Sequence, residues 1–311
     1  MKKLLFIYNP QAGKGQVRPQ LAAILDAFSK AGYLTSAWPT QGPGDATRVA
    51  AAIGRRYDRV VCCGGDGTLN EVAAGAAGFP NAAVTVLSGG SGNDFVRLFS
   101  EPEAFTRLER LLDPEEAVFD LIRCNDDYAL NICSVGLDAR IGTDVARYKR
   151  LPLLQGFRAY AVSTVVNVIR GIAEHYVVEI NGERIDGEQT FVCVCNGRYY
   201  GGGFNPVPEA DPQDGILEVL VVKKVSRLQV PGVVGKYKAG KYRQLPQLIR
   251  HFSTDRLTIH CDAPTPINLD GELRRAKDVE ISVAKEKLRF FHPRDVKIAP
   301  VPRELSPVEA G

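Results

Sequence analysis

Residues 64–72 read Gly-Gly-Asp-Gly-Thr-Leu-Asn-Glu-Val and follow directly on the apolar run Val60-Val61-Cys62-Cys63. A strand, a glycine turn and a helix with Leu69, Val72, Ala73 and Ala76 on one face are the expected elements. Gly64, Gly65 and Gly67 let backbone N–H groups approach a bound group, and the helix N-terminus adds a positive partial charge. Asp66 would repel bare phosphate, so it suits a phosphate turn only with a divalent cation between, held by oxygen ligands and water. A tight turn with Asp66 as a helix cap accounts for the same residues. Two further strand ends carry glycine turns. Leu4-Leu5-Phe6-Ile7-Tyr8 runs into Asn9-Pro10-Gln11-Ala12-Gly13-Lys14-Gly15, and Ala83-Val84-Thr85-Val86-Leu87 into Ser88-Gly89-Gly90-Ser91-Gly92-Asn93-Asp94-Phe95. Neither is a Walker A loop or a dinucleotide fingerprint: Tyr8 replaces the first Walker glycine, and Gly15 replaces its Ser or Thr. Three such turns at successive strand ends predict one shared phosphate cleft, as in open α/β sheets. Lys14 serves there as a point charge on phosphate or as a solubilising surface residue.

The second half holds two acidic turns. In Asp211-Pro212-Gln213-Asp214-Gly215-Ile216 two carboxylates stand three residues apart, and the glycine frees the backbone for a carbonyl to join them. This is a hard-cation donor set, and equally an ordinary turn before a strand. Ile267-Asn268-Leu269-Asp270-Gly271-Glu272 places a carboxylate just beyond a strand and turn. A hydroxyl attacking a phosphate needs such a proton acceptor, although Glu272 by itself is one of 36 acidic residues.

Taken together, Asn9-Pro10…Gly13-Lys14, the Gly64–Glu71 turn and Gly92-Asn93-Asp94-Phe95 resemble the diacylglycerol-kinase catalytic domain. The resemblance continues through Asp120-Leu121, Asn131…Gly136…Asp138, Gly201-Gly202-Gly203, the 211–216 turn and Asp270-Gly271-Glu272. This superfamily takes in bacterial lipid kinases, sphingosine and ceramide kinases and, more distantly, NAD kinases. It implies ATP and Mg2+ as cofactors, with nucleotide contacts from Asn9, Pro10, Gln11, Ala12, Gly13, Lys14, Thr40, Gly64, Gly65, Asp66, Gly67, Thr68, Leu69, Asn70, Ser91, Asn93 and Asp94. Ser91 stands where the family has Thr and keeps the hydroxyl. The resemblance further implies Glu272 as general base, Asp66 as a catalytic carboxylate, and a magnesium site of Asp211, Asp214 and the Ile216 carbonyl. Asp94 and Asp120 are candidates to extend the metal–water network around Asp66, with capping roles as the alternative. The implied reaction is γ-phosphate transfer to a lipid hydroxyl. The rivals are an NAD kinase, disfavoured by Asn70-Glu71 and Gly92–Phe95, and a catalytically silent binding protein, disfavoured by the intact Asp66, Asp94 and Glu272.

Strands alternate with helices up to residue 122, which predicts a doubly wound, mostly parallel α/β domain over 1–122. Helices are expected over 93–99 and 103–112, and a strand over 117–122. From 123 to 292 short strand-like pieces separated by Gly, Asn and Asp predict an antiparallel β domain, including a strand over 287–291. The family implies a β-sandwich here that presents the lipid, with the tail 293–311 returning to the first domain. Helical insertions are expected near 138–150, 153–172 and 226–245. The formal net charge of +3 gives no argument for nucleic acid. Seven cysteines without a Cys-x-x-Cys pair read as buried thiols in a cytoplasmic protein. No stretch has the length of a membrane span, so the lipid implies peripheral, transient membrane association. Basic, Leu- and Tyr-containing stretches at 147–154 and 236–243 suit an anionic surface or a solvated helix face alike. The four histidines lack the spacing of a nucleophilic or metal site. Oligomeric state, a homodimer included, and the identity of the lipid stay open.

Overall fold

The computed structural model describes residues 1–12, 17–90, 92–148, 162–163, 166–167 and 171–302. The first sheet has the order β2-β1-β3-β4-β15-β5. Its strands are β1 (Lys2–Tyr8), β2 (Tyr33–Pro39), β3 (Arg59–Gly64), β4 (Ala83–Ser88), β5 (Pro114–Phe119) and β15 (Leu288–Pro293). β1 pairs in parallel with β2 and β3, and β3 with β4. Leu4 to Tyr8 and Val60 to Cys63 are buried on consecutive residues, as strands covered on both faces must be. Helices α1 (Val17–Lys30), α2 (Asp45–Ile53) and α3 (Asp66–Gly75) supply cover. A Cβ at Gly75 would meet the Thr47 carbonyl and the Ala50 side chain, so glycine is what lets α3 lie tight against α2.

The strand expected over 287–291 does form, but in the first sheet rather than the second. β15 pairs in parallel with β4 and antiparallel with β5. The reason is aromatic. Phe290 stands 5.0 Å from Phe95, 5.9 Å from Phe119 and 6.1 Å from Phe105, centroid to centroid, pairs each worth about 0.5–1.5 kcal/mol beyond burial. The chain returns to the first domain before residue 293 and is still against it at residue 299, whose N–H donates to the Leu98 carbonyl at 2.7 Å. The helices expected over 93–99 and 103–112 are instead short 3-10 turns, Phe95–Leu98, Pro102–Thr106 and Leu108–Leu111. Tight turns bring Phe95, Phe99 and Phe105 into the same cluster. The strand expected over 117–122 lies at 114–119.

The second domain is an antiparallel β-rich unit built on two long strands, β10 (Glu183–Cys195) and β13 (Arg256–Leu269). The first half of each pairs with β9 (Glu174–Ile180), the second half with β8 (Ile132–Gly136). This closes a ring of strands around Val178, Val192, Val194, Ile259 and Ile267. β6 (Ile122–Cys124), β7 (Asp127–Ala129), β11 (Leu217–Lys223), β12 (Ile249–Thr254) and β14 (Glu272–Val283) complete it. The alternate residues Phe191, Cys193 and Cys195 of β10 face outward and pack against α5 (Val230–Lys238). α4 (Leu137–Tyr148) lies across β13. All seven cysteines are buried and unbridged. Among the described residues no helix is long and apolar enough to cross a membrane. Most of the insertion expected over 153–172 and the end of the 147–154 stretch lie outside the described residues.

Candidate active site

The three glycine turns meet at the carboxyl ends of β1, β3 and β4. The Asn9 N–H donates to the Cys63 carbonyl at 3.0 Å, the Thr40 N–H to Tyr8 at 2.9 Å, and the Gly89 N–H to Gly64 at 2.9 Å. Asn9 also folds its own loop, its side-chain oxygen accepting from Gln11 N–H at 2.9 Å. A Cβ at Gly90 would lie 2.5 Å from the Gly65 Cα, closer than real contacts allow, so both glycines are needed where the second and third turns touch. Gly13, Lys14 and Ser91 lie outside the described residues.

Asp66 opens α3 and joins these turns. Its Oδ1 accepts the Asp94 N–H at 2.5 Å, and a Cβ at Gly92 would strike its carboxylate. Burial pushes the Asp66 carboxyl up, against the backbone N–H groups that hold it down. Asp94 accepts the Gly202 N–H at 2.7 Å and lies 3.3 Å from the Arg97 Nε. Burial, and then the Asp66 charge, push its carboxyl up to about 6. The half-buried Asp66 and the buried Asp94, side by side with Arg97 the cation that offsets Asp94, form a donor set that favours a divalent cation.

The Asp270-Gly271-Glu272 turn faces this group from the second domain. Asp270 sits in the left-handed region at φ 49°. Its carboxylate accepts the N–H groups of Leu130, Asn131 and Ile132 at 2.6, 2.8 and 2.9 Å. Burial pushes its carboxyl up to about 7 against those bonds, and the Asp66 charge adds to the rise. Asn70 ties the two sides together: its side-chain oxygen accepts the Leu130 N–H at 3.2 Å, and its amide donates to the Leu269 carbonyl at 3.5 Å. Glu272, partly exposed at the head of β14, is raised by burial and then by Glu71, and lowered by Arg274 at 3.8 Å. Glu71 itself caps α2, accepting from Gly44 and Ala46 N–H at 2.9 and 3.0 Å.

The 211–216 turn forms a second acidic group. One oxygen of Asp211 accepts the Gln213 N–H at 3.1 Å, and one of Asp214 accepts the Ile216 N–H at 2.9 Å. Burial raises Asp214, and Asp211, Glu218 and Asp120 add to the rise. That excess negative charge fits a cation held by Asp211, Asp214, the Ile216 carbonyl and water. Among the described residues no three Asp, Glu, His or Cys side chains form a cage by themselves. Asp120 belongs to this turn rather than to the Asp66 network. It accepts from Gly215 N–H at 2.8 Å and is paired with Lys287. The sequence reading missed three positioning residues. Asp270 binds three N–H groups some 140 positions away, Gly202 holds Asp94, and Arg97 grips the Gly92 carbonyl at 3.2 Å. The Gly201-Gly202-Gly203 run was the signal for the second.

This arrangement, glycine turns and buried carboxylates on an α/β sheet facing an acidic turn of a β domain, defines a phosphotransferase cleft between two domains. Residues 3–124 match the diacylglycerol kinase catalytic domain. Residues 131–292 match the YegS C-terminal NAD kinase beta sandwich-like domain. The chain belongs to this diacylglycerol kinase family and is a lipid kinase by class. It is 28% identical over 277 residues to a diacylglycerol kinase of Bacillus subtilis, covering 88% of this chain and 90% of that one. With a diacylglycerol kinase of Staphylococcus aureus it shares 27% over 298 residues, or 95% and 94% of the two chains. The fold matches the crystal structure of a diacylglycerol kinase from Bacillus anthracis with a TM-score of 0.67 at 20% identity, over 96% of this chain and 97% of that one. An NAD kinase from Archaeoglobus fulgidus in complex with ATP gives a TM-score of 0.51 at 13% identity, over 94% of each chain.

Proposed function

We propose that this protein transfers the γ-phosphate of ATP to the hydroxyl of diacylglycerol or a related lipid alcohol, in the presence of Mg2+. The observation that carries the reading is the juxtaposition of the α3 N-terminus, where Asp66 stands half-buried among the glycine turns, with the Asp270-Gly271-Glu272 turn, the two tied together through Asn70. The names of the relatives, diacylglycerol kinases of two bacterial genera, support the acceptor.

The glycine turns that follow β1, β3 and β4 would hold the triphosphate, through N–H groups other than those of Asn9, Gln11, Ala12 and Gly89, which are donated within the turns. Asp66 and Asp94 would hold a Mg2+ ion, which would supply positive charge to offset that of the phosphates. Asp270 keeps Leu130 to Ile132 in place with its three hydrogen bonds, and so fixes where Glu272 enters the cleft. Glu272 takes the proton from the attacking hydroxyl. Its raised carboxyl makes it a better acceptor than a solvated glutamate, because proton affinity rises with pKa. Asp211, Asp214 and the Ile216 carbonyl would hold a second Mg2+, which would offset the negative charge of the turn before β11. The lipid reaches the cleft from a bilayer to which the protein binds transiently.

The test is incubation with γ-labelled ATP and a total lipid extract, followed by separation of the products, with NAD as a parallel acceptor. Label in a lipid phosphate supports the proposal. Label in NADP, or in no acceptor while ATP and lipid both bind, overturns it.

A further inference from the structure

From Val219 to Thr254 the chain carries eight Lys or Arg residues and no Asp or Glu. In a protein with 39 basic and 36 acidic residues overall, a run of this length without one carboxylate is a local charge separation. The structure places most of these cations at the surface around α5: Lys223, Lys224, Arg227, Lys238, Lys241 and Arg243 are all exposed. Lys224 is paired with Glu188 and Arg243 with Glu209. Lys223 and Lys241 have no acidic partner among the described residues.

In the middle of this basic surface stands Leu228, 94% exposed. It occupies the turn that leads into α5, with Arg227 before it and Pro231 exposed after it. Every other large apolar side chain among the described residues, apart from Met1, keeps about half or more of its surface covered. Exposing a whole leucine to water forfeits the free energy that its burial would give. A single such residue on a cationic turn has the build of an interfacial anchor: the apolar side chain enters the acyl boundary while flanking cations meet anionic headgroups.

The surface is also connected to the site. Val230, Val233, Val234 and Tyr237 of α5 share a cavity of about 30 Å³ with Leu137, Asp138 and Ile141 of α4. On its far side α4 abuts the catalytic turn. A Cβ at Gly142 would lie 3.2 Å from the Asn268 amide, and the Asn268 side-chain oxygen accepts the Gly271 N–H at 2.7 Å. One helix therefore separates the basic surface from the turn that carries Glu272.

We infer that the Lys223–Arg243 surface, with Leu228 as its inserting residue, is where this protein docks on an anionic lipid bilayer. The inference rests on the lipid-kinase reading and adds to it the face that meets the membrane. Charge complementarity and the solitary exposed leucine favour a bilayer over a nucleic acid, which needs no apolar wedge of this kind outside the stack of bases.

Flotation with 100 nm vesicles, of phosphatidylcholine alone and of phosphatidylcholine with phosphatidylglycerol, tests it at low and physiological salt. The variants are Leu228→Glu and the pair Lys223→Glu with Lys241→Glu, all at exposed positions, with melting temperature as a check on folding. The parent should float with the anionic vesicles and far less with the neutral ones. Leu228→Glu should lower the partition constant about tenfold or more, and the paired charge reversal at least about fivefold at low salt. Turnover of a short-chain, water-soluble diacylglycerol should stay unchanged in all variants, while turnover of vesicle-embedded lipid falls with binding. Parent-like flotation of the variants would overturn the inference. So would a parent that floats with neither vesicle, or that is retained by heparin or nucleic acid and not by anionic vesicles. If the parent floats through this surface yet phosphorylates no lipid, the docking surface stands and the proposed reaction falls.

Discussion

Asp94 offers a prediction in which the sign can be worked out in advance. Its carboxylate is 3% exposed and beside Asp66, so its carboxyl is pushed from the ordinary 3.8 to about 6, burial acting first and the Asp66 charge second. The folded protein therefore binds a proton that the unfolded chain has released between those two values. Relative to a neutral side chain, the stability Asp94 contributes is fully present below pH 4 and is lost as pH rises through about 6. The difference between 3.8 and 6 corresponds to about 3 kcal/mol, at 1.36 kcal/mol per pH unit. Coupling to Asp66 shares part of that change, which leaves about 1.5–3 kcal/mol for Asp94 alone. Asp94→Asn removes the ionisation while its amide oxygen still accepts from Gly202. In a chelator-containing buffer the variant should thus gain about 1.5–3 kcal/mol on the parent between pH 4 and pH 8, while losing most of its kinase activity. Denaturant unfolding at pH steps across that range measures the difference directly. A difference that stays constant with pH, or that moves against the variant as pH rises, would refute the reasoning.

Other outcomes follow from the same geometry. Asp66→Asn should abolish turnover with little loss of fold, since the amide oxygen can still accept from Asp94 N–H; parent-like turnover at saturating magnesium would remove Asp66 from the chemistry. Asp270→Ala orphans the Asn131 and Ile132 N–H groups and leaves the Leu130 N–H to Asn70 alone, so it should cost about 2 kcal/mol or more, readable by chemical denaturation, and a cost below about 1 kcal/mol would show that those bonds do not pin the turn. Asp211→Ala with Asp214→Ala should remove the rise in melting temperature that magnesium gives the second domain; equal magnesium response in variant and parent would place the ion elsewhere.

The first domain's strands and helices were legible because each is a local pattern: an apolar run, a glycine turn, then helical spacing. Its edge was not. Leu288 to Pro293 reads as one more strand of the β domain, and only the cluster of Phe95, Phe99, Phe105 and Phe119, more than 160 residues earlier, draws it into the first sheet. The same cluster turned the helices expected over 93–112 into 3-10 turns. At the site, Asp66 and Glu272 stood out by motif, and the structure brings their turns to face each other. Asp270 was visible in the motif, but its three acceptor bonds depend on a crossing of β8 and β13 that no local spacing encodes. The same limit let Asp120 be read toward Asp66 when its partners are Gly215 and Lys287.

The central claim is that Glu272 accepts the proton of a lipid hydroxyl as ATP gives up its γ-phosphate. Single-turnover phosphorylation of a soluble short-chain diacylglycerol by the parent and by Glu272→Gln, with ATP affinity measured separately by calorimetry, tests it most directly. The amide keeps the shape of the side chain and can still bond a hydroxyl, but it takes up no proton at neutral pH. The account predicts a rate lower by about 10²–10⁴-fold with ATP affinity within about twofold of the parent. A variant that turns over at the parent's rate, or one whose rate falls only as far as its ATP affinity does, would contradict it.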